Sequence, residues 1–530
     1  MTLKNWLQEL EYELVQGSTD KEVEEVIYDS RKAAPGAVFV CIAGTRVDSH
    51  RFVPDVLKAG VRVLVTEHDV AAELAASGLS EEELAGVTVL RVEDGRHALA
   101  LLSAARFDYP ARKLVMIGVT GTKGKTTTTH MIKAVLEAAG HKVGMIGTIG
   151  IVIGDKVTPT VNTTPESYEL HRAFSQMVKD GCGYAVMEVS SQGLKMHRVD
   201  GIDYDYAVFT NISPDHIGPN EHADFEEYLY YKSRLLSQCK VGLVNRDDSH
   251  FDQIVKDASC KLCSFSVKAG QSQGAAQAAE QAQAGQSQDA AAQAEQSQPA
   301  ADFTASGIHY VSQQDFVGTE FLVSGRYEMD VRLGIPGLFN VYNALAALSV
   351  CSFLDLPKDR ISHAFEHIRV NGRMEIVYTS KRCTVIVDYA HNAISMESLL
   401  STLRDYHPKR LVCVFGCGGN RSKDRRYSMG EIGGRMADLC IITEDNSRYE
   451  KVEDIIADIR GSIEKTGGAF MEIPDRRKAI EYSILNAQPG DMVAVIGKGH
   501  ESYQEVAGVR HHFLDREVIE ETVKKLEEEA

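Results

Sequence analysis

Residues 118–130 read GVTGTKGKTTTTH and follow the apolar run KLVMI. A strand, a glycine-rich turn and a helical pattern in that order leave few options. They require a βα unit, and with it a mostly parallel sheet covered by helices. Met131, Ile132, Val135 and Leu136 fall on one helical face, and Gly140 ends the pattern. The start of such a helix presents unpaired N–H groups and the positive end of its dipole. Gly121 and Gly124 let the backbone close around phosphate oxygens, Lys125 reaches terminal phosphates, and Thr126 is placed to hold magnesium. The spacing is G-x-x-G-x-x-G-K-T from Gly118, with Val119 where the standard pattern begins with glycine. Strand context, lysine and the following threonine favour phosphate binding over a plain turn.

The same alternation of short apolar runs and helical patterns fills the chain, so the fold class is α/β with parallel sheets. At 530 residues it exceeds one ordinary domain. A first unit, 1–110, carries AVFVCIAG, VRVLVTE and VTVLRVED, and Tyr109-Pro110 breaks its pattern. A second, 111–369, begins with KLVMIGVT; a third, 370–530, carries CTVIVDYA, RLVCVFGC, LCIITED and MVAVIGKG. Residues from about 269 to 302 are rich in Gln, Ala, Ser and Gly, a composition too poor in apolar surface to order itself.

The net charge of -18 argues against non-specific binding to nucleic acid or anionic membranes. The N-terminal MTLKNWLQELEYELV is amphipathic and lacks a signal-peptide core, and no apolar run reaches spanning length. Most of the ten cysteines sit in apolar strand-like runs, and the Cys260–Cys263 pair has no second pair to complete a metal site. A cytoplasmic protein without membrane insertion is expected, acting as a monomer.

Other strands end in polar clusters. Glu188 and Ser190 follow YAVM; Asn211, Asp215 and His216 follow YAVFT. Ligands of open α/β sheets bind outside the carboxyl ends of the strands, so these clusters are expected to converge on the phosphate loop. Glu188 and His216 are then candidate magnesium ligands.

GTKGKTT, NTTPES, MEVSSQGL, TNISPDH, GLFNVYNALAA, VNGRMEI, DYAHN, FGCGGNR and GKGHE occur in this order over nearly the whole chain. Together they resemble the Mur ligases of peptidoglycan synthesis. The N-terminal YDSRKAAPGAVFVCIAG resembles the UDP-binding domain of the members that add the third residue of the stem peptide. The resemblance implies three domains: an N-terminal UDP-binding α/β domain, a central P-loop ATPase domain and a C-terminal Rossmann-like domain. It implies an ATP-dependent ligase in which ATP phosphorylates the D-glutamyl γ-carboxylate of UDP-N-acetylmuramoyl-L-Ala-D-Glu. The amine of a diamino acid then attacks the acyl phosphate.

The roles the resemblance implies are these. ATP is held by Gly121, Thr122, Lys123, Gly124, Lys125, Thr126 and Thr127, with Asn343, Arg373 and Asp388. One Mg2+ is held by Thr126 and Glu188 and a second by His216, with Lys232 a further ligand as a carbamate formed with carbon dioxide. Lys125, Lys232, His216 and Arg373 make the catalytic set. The nucleotide sugar-dipeptide meets Ser30, Thr45, Arg46, Asn162, Thr163, Thr164, Ser190 and Arg198. Read alone, Lys232 in FEEYLYYKSRLL is an ordinary solvated helix lysine.

In the third unit the resemblance assigns the incoming amine to Arg421, Asp445, Asn446, Ser447, Arg448, Gly497 and Glu501. Members specific for meso-diaminopimelate carry Asp-Asn-Pro-Arg where this chain has Asp445-Asn446-Ser447-Arg448. The arginine there grips the distal carboxylate, for which two parallel N–H groups are suited. Diaminopimelate is therefore the expected amine, with L-lysine or another diamino acid as the alternative. Ser447 for proline, Asn420 for aspartate, Gln192 for histidine, Met196 for glutamine, and Asn371 and Ala393 for prolines are departures. None removes a reacting group. The competing readings are a folylpolyglutamate synthetase, which the YDSRK segment disfavours, and a binding protein that keeps the fold without catalysis.

Overall fold

The computed structural model describes residues 1–44, 47–218, 221–267, 301–313 and 316–528. The expected low-complexity insertion therefore falls almost wholly outside the described residues. The chain divides into two compact units, Met1–Ser264 and Phe265–Ala530.

The first unit holds two sheets. The N-terminal one has the order Glu13–Gln16, Thr88–Arg91, Val63–Thr66, Ala37–Val40, Glu25–Ile27. Its strands are parallel except Glu13–Gln16, which pairs antiparallel at one edge. Alternate side chains feed opposite faces. Val38, Val40, Val63 and Val65 pack with Trp6 and Leu102 in one core, while Phe39 and Leu64 pack with Val53, Val56 and Leu57 in another. The amphipathic N-terminus forms a helix only over Leu3–Trp6, because Glu13–Gln16 is drawn into the sheet by Thr88–Arg91.

The second sheet of this unit has five parallel strands in the order Cys239–Asn245, Tyr204–Phe209, Val115–Thr120, Tyr184–Glu188, Val143–Gly147. Antiparallel Gly150–Ile153 and Lys156–Thr158 extend it. Val115–Thr120 lies between strands that follow it in sequence on both sides. Their carboxyl ends therefore meet beside the glycine loop, where such sheets bind ligands.

In the second unit Phe303–Gln313, Phe316–Gly325 and Met329–Leu333 form an antiparallel meander beside helices Leu338–Cys351 and Lys358–His367. A further sheet follows in the order Glu375–Thr379, Cys383–Asp388, Asp491–Ile496, Arg410–Phe415, Leu439–Ile442, Phe470–Glu472. Only Glu375–Thr379 runs antiparallel. Among the described residues, no helix is long and apolar enough to cross a membrane.

Candidate active site

The turn after Val115–Thr120 is fixed by backbone that only glycine tolerates. Gly121 has φ +141°, and a Cβ there would lie 2.0 Å from the Thr210 hydroxyl oxygen. The loop is clamped to the segment after Tyr204–Phe209. Thr122 N–H donates to the Asn211 carbonyl at 2.8 Å. Lys123 N–H donates to Asn211 Oδ1 at 2.9 Å, and the Thr210 hydroxyl to the Lys123 carbonyl at 2.7 Å. Gly124 caps the helix Lys125–Ala138, whose first turn buries Thr126 and Thr127. Lys125 Nζ folds back onto the carbonyls of Gly121 and Thr122, at 2.9 and 3.1 Å.

Lys232 is no solvated lysine. Its side chain, on the helix Phe225–Ser233, is 2% exposed, and Nζ donates to the Gly121 carbonyl at 2.8 Å. Burial first, and the charge of Lys125 second, pull its pKa well below the ordinary 10.5.

From Thr126 a chain of hydrogen bonds leads away from the loop. The Thr126 hydroxyl donates to Glu188 Oε1 at 2.9 Å. Thr148 donates its N–H to the same oxygen at 2.9 Å and its hydroxyl to Glu188 Oε2 at 3.3 Å. Gly147 permits this approach, since a Cβ there would lie 2.3 Å from Glu188 Oε1. The Thr148 hydroxyl is 3.3 Å from that of Thr163. Thr164 donates to the Glu188 carbonyl and accepts from Ser190 N–H, both at 3.0 Å. Arg198 donates to the Thr164 carbonyl at 3.1 Å and pairs with Glu166 at 2.8 Å, while its buried Nε has no partner among the described residues. Thr148, which sequence reasoning missed, is the joint of this chain; as one threonine in IGTIG it carried no signal.

Asn162 lies in the turn before Thr163 and is half-buried. His216 is half exposed, 3.2 Å from Glu221 Oε1, and no described contact joins it to Glu188. Its ring centroid is 6.0 Å from Tyr228, whose hydroxyl lies 3.1 Å from that of Thr122. Ser30 opens a short 3-10 helix capped by Asp29, two residues after Tyr28, whose hydroxyl donates to Glu169. Thr45 and Arg46 lie outside the described residues.

In the second unit Asp388 ends its strand and accepts the N–H groups of Met374 and Ala390, both at 2.8 Å. Burial raises its pKa against the opposing charge of Arg373. The Arg373 guanidinium sits 4.9 Å from the Tyr389 ring centroid, and its buried Nε has no partner among the described residues. Asn343, buried on the helix Leu338–Cys351, donates to Asn340 Oδ1 at 3.0 Å.

A separate cluster forms around the turn after Arg410–Phe415. Arg448 has φ +51°, a costly conformation for a residue with a side chain, and donates to the Gly419 carbonyl at 2.7 Å. A Cβ on Gly418 would lie 3.1 Å from the Arg448 guanidinium and 3.9 Å from Arg421 Cγ, so both arginines border this glycine. Asp445 Oδ1 accepts from Asn446 N–H at 2.5 Å, and Gly497 approaches Asp445 Oδ2. Ser447 is buried, its carbonyl packed on Gly419. Asn446 Nδ2 donates to Glu501 Oε2 at 2.9 Å. Lys498, which sequence reasoning passed over, is fully buried and donates to Asn446 Oδ1 at 3.2 Å and Glu501 Oε2 at 3.4 Å. The amine-site residues expected from the resemblance thus share one loop cluster, with Lys498 at its centre.

Three family descriptions match in order: Mur ligase family, catalytic domain, at residues 22–107; Mur ligase middle domain at 119–351; and Mur ligase, glutamate ligase domain at 372–499. A UDP-N-acetylmuramoyl-L-alanyl-D-glutamate--2,6-diaminopimelate ligase of Caldanaerobacter subterraneus subsp. tengcongensis is 38% identical, over 99% of this chain and 100% of its own. The protein of the same name from Clostridium perfringens is 36% identical over 98% and 99%. A solved structure of a ligase of that name superposes with TM-score 0.71 at 27% identity, covering 99% of each chain. Mycobacterium tuberculosis folylpolyglutamate synthase, at 18% identity, covers 74% of this chain and 91% of its own with TM-score 0.55, and shares the fold alone. With a three-domain α/β architecture and matches along its whole length, the chain belongs to the Mur ligase family.

Proposed function

We propose that this chain is an ATP-dependent ligase. It joins the amine of meso-diaminopimelate to the D-Glu γ-carboxylate of UDP-N-acetylmuramoyl-L-Ala-D-Glu, a step of peptidoglycan synthesis. One observation carries this reading: the hydrogen-bonded run from Thr126 through Glu188 and Thr148 to Thr164, Ser190 and Arg198. It ties a phosphate loop to a cationic side chain with an unpartnered Nε. That pairing suits a reaction between a nucleotide phosphate and a carboxylate.

The domain limits proposed are 1–110 for the UDP-sugar, 111–369 for ATP and 370–530 for the amino acid. Ser30, Thr45 and Arg46 take the uridine end; Asn162, Thr163, Thr164, Ser190 and Arg198 take the dipeptide. Gly121 to Thr127 hold the ATP phosphates, with Asn343, Arg373 and Asp388 on the nucleotide. All these groups come from one chain, so a monomer suffices, and ATP as substrate sets the reaction in the cytoplasm.

The residues fit magnesium. Glu188 is a buried carboxylate that accepts from the Thr126 hydroxyl and from the Thr148 N–H and hydroxyl. Lys232 is a buried amine with depressed basicity, ready to add carbon dioxide and become an anion. Thr126 and Glu188 would hold one ion and His216 a second, with carbamylated Lys232 as a further ligand; when bound, they neutralise phosphate charge. Lys125 would exchange the Gly121 and Thr122 carbonyls for a terminal phosphate oxygen. The γ-carboxylate, oriented by Arg198, takes the terminal phosphoryl group from ATP and releases ADP. The resulting acyl phosphate is an electrophile that a carboxylate is not. The neutral amine attacks its carbonyl carbon, the C–O bond to phosphate breaks, and the nitrogen loses a proton.

Arg448, with Arg421 beside the same glycine, suits the distal carboxylate of diaminopimelate, and Glu501 its ammonium. L-Lysine lacks that carboxylate. The test is phosphate release with ATP, Mg2+, bicarbonate and UDP-N-acetylmuramoyl-L-Ala-D-Glu, offering meso-diaminopimelate and L-lysine separately. Release with diaminopimelate alone is expected. Release with lysine alone keeps the ligase and overturns the specificity. Silence with both favours a non-catalytic binding protein.

A further inference from the structure

Two histidines, one of them next to Arg198 in the chain, share one carboxylate oxygen. His97 Nδ1 lies 2.6 Å and His197 Nδ1 2.7 Å from Asp200 Oδ2. The three donor atoms are within 4.8 Å of one another. They come from two distant stretches. His97 is in the first turn of the helix Gly95–Arg106 beneath the N-terminal sheet. His197 and Asp200 follow the short helix Ser191–Lys195. His197 has φ +54°, so the backbone there is held in an unfavourable conformation.

We propose that His97, His197 and Asp200 form a binding site for a divalent transition-metal ion of the zinc type, separate from the magnesium site of the reaction. Two imidazoles and a carboxylate are a donor set for zinc, cobalt, nickel or ferrous iron rather than magnesium. In a tetrahedral zinc site neighbouring donors stand about 3.3 Å apart. Each Nδ1 therefore retreats from Asp200 Oδ2 by only about 0.7 Å as metal replaces the two shared protons. A carboxylate already stands on the far side of His197. Asp94 Oδ2 lies 3.8 Å from His197 Nε2, the nitrogen facing away from the site, while Asp94 Oδ1 caps the helix through Arg96 and His97 N–H. A carboxylate on the far nitrogen is the usual partner of a metal-bound histidine. His97 is 45% exposed, which leaves an entry path and room for water as a fourth ligand.

The other histidine cluster shows what an unsuitable site looks like. His50 is buried, its Nδ1 paired with Asp48 Oδ1 at 2.5 Å and its Nε2 accepting from Glu67 N–H at 2.9 Å. Because Nε2 must accept from Glu67 N–H, Nδ1 keeps its proton and offers no lone pair to a metal. Among the described residues, no backbone N–H occupies a ring nitrogen of His97 or His197 in this way. An ion held there would bind helix Gly95–Arg106 to the residues flanking Arg198, the arginine assigned to the dipeptide.

The test is Co2+ titration of the full-length, untagged, metal-stripped protein, followed by d–d absorption, with Zn2+ measured against a chelating dye. One Co2+ with a nitrogen and oxygen ligand spectrum is expected, displaced by Zn2+. His97→Ala and Asp200→Asn should each weaken binding at least about tenfold, and Asp94→Asn by about 10-fold or more. Glu188→Gln and Cys260→Ser should leave the signal intact, which separates this site from the magnesium site and from the thiols. Circular dichroism confirms that each variant is folded. Absence of Co2+ binding by the wild type, or binding unchanged in His97→Ala, overturns the proposal. Neither result depends on the ligase reading.

Discussion

Lys125 and Lys232 donate to the same carbonyl oxygen, that of Gly121, at 2.9 and 2.8 Å. Two ammonium groups aimed at one atom repel each other, and the buried one yields. Lys232 accordingly has its pKa pulled down, by burial and then by Lys125. The phosphate loop thus carries one cation for phosphate and one amine biased toward neutrality, and the two lysines have different work.

Removing Lys125 takes away the charge that meets the terminal phosphate. Lys125→Met should lower phosphate release by about 10²–10³-fold, the loss typical of one transition-state donor. The measurement is single-turnover phosphate release at saturating ATP, and a loss below about tenfold would remove Lys125 from the reaction.

Lys232 makes a prediction about stability as well as rate. Its folded pKa is below the unfolded 10.5, so the unfolded chain binds more protons in the window between them. Stability rises with pH through that window and is lost as pH falls. In bicarbonate-free buffer Lys232→Met should unfold at higher urea concentration than the wild type at neutral pH, with a flatter pH dependence. The same variant should lose turnover and the carbamate signal that 13C-bicarbonate gives with wild type. A variant less stable at every pH would contradict the buried neutral amine.

Much of this site was legible because its signals are local. A strand, two glycines, a lysine and a threonine lie within a dozen residues and fix the loop wherever they occur. Lys232 was legible only through the resemblance and not from its own helix pattern, because its hydrogen-bond partner, the Gly121 carbonyl, lies 111 residues away along the chain. Thr148 and Lys498 were missed for the same reason: each acts through what the fold brings to it. The amphipathic N-terminus is helical only over Leu3–Trp6, and Glu13–Gln16 pairs with the edge strand Thr88–Arg91 instead.

The amine site should separate binding from chemistry. Arg448→Ala deletes the proposed partner of a distal carboxylate, a charged hydrogen-bond pair of about 1.5–3 kcal/mol. KM for diaminopimelate should rise about 10–100-fold with little change in kcat, and preference over lysine should shrink. Lys498→Met acts through Asn446 and Glu501, which it holds at 3.2 and 3.4 Å. It should raise the same KM while leaving KM for ATP unchanged. Equal effects on both substrates would mean that Lys498 serves only the fold.

His171 offers a test of the central core free of catalysis. It sits on the helix Ser167–Lys179, fully buried, edge-on to Phe174 at 5.9 Å, with neither ring nitrogen partnered among the described residues. Burial pulls its pKa from 6.5 down to about 3. The unfolded chain therefore binds a proton that the folded chain refuses, and stability falls as pH drops below 6.5 toward the folded value. At about pH 5 that one residue costs about 2 kcal/mol relative to pH 8. His171→Leu removes both the proton linkage and the unpaired ring nitrogens, so it should stabilise by about 1 kcal/mol or more at neutral pH. Its advantage should widen on acidification. Urea midpoints of the two proteins across that pH range decide the matter, and parallel slopes would show that His171 finds a proton acceptor in the core.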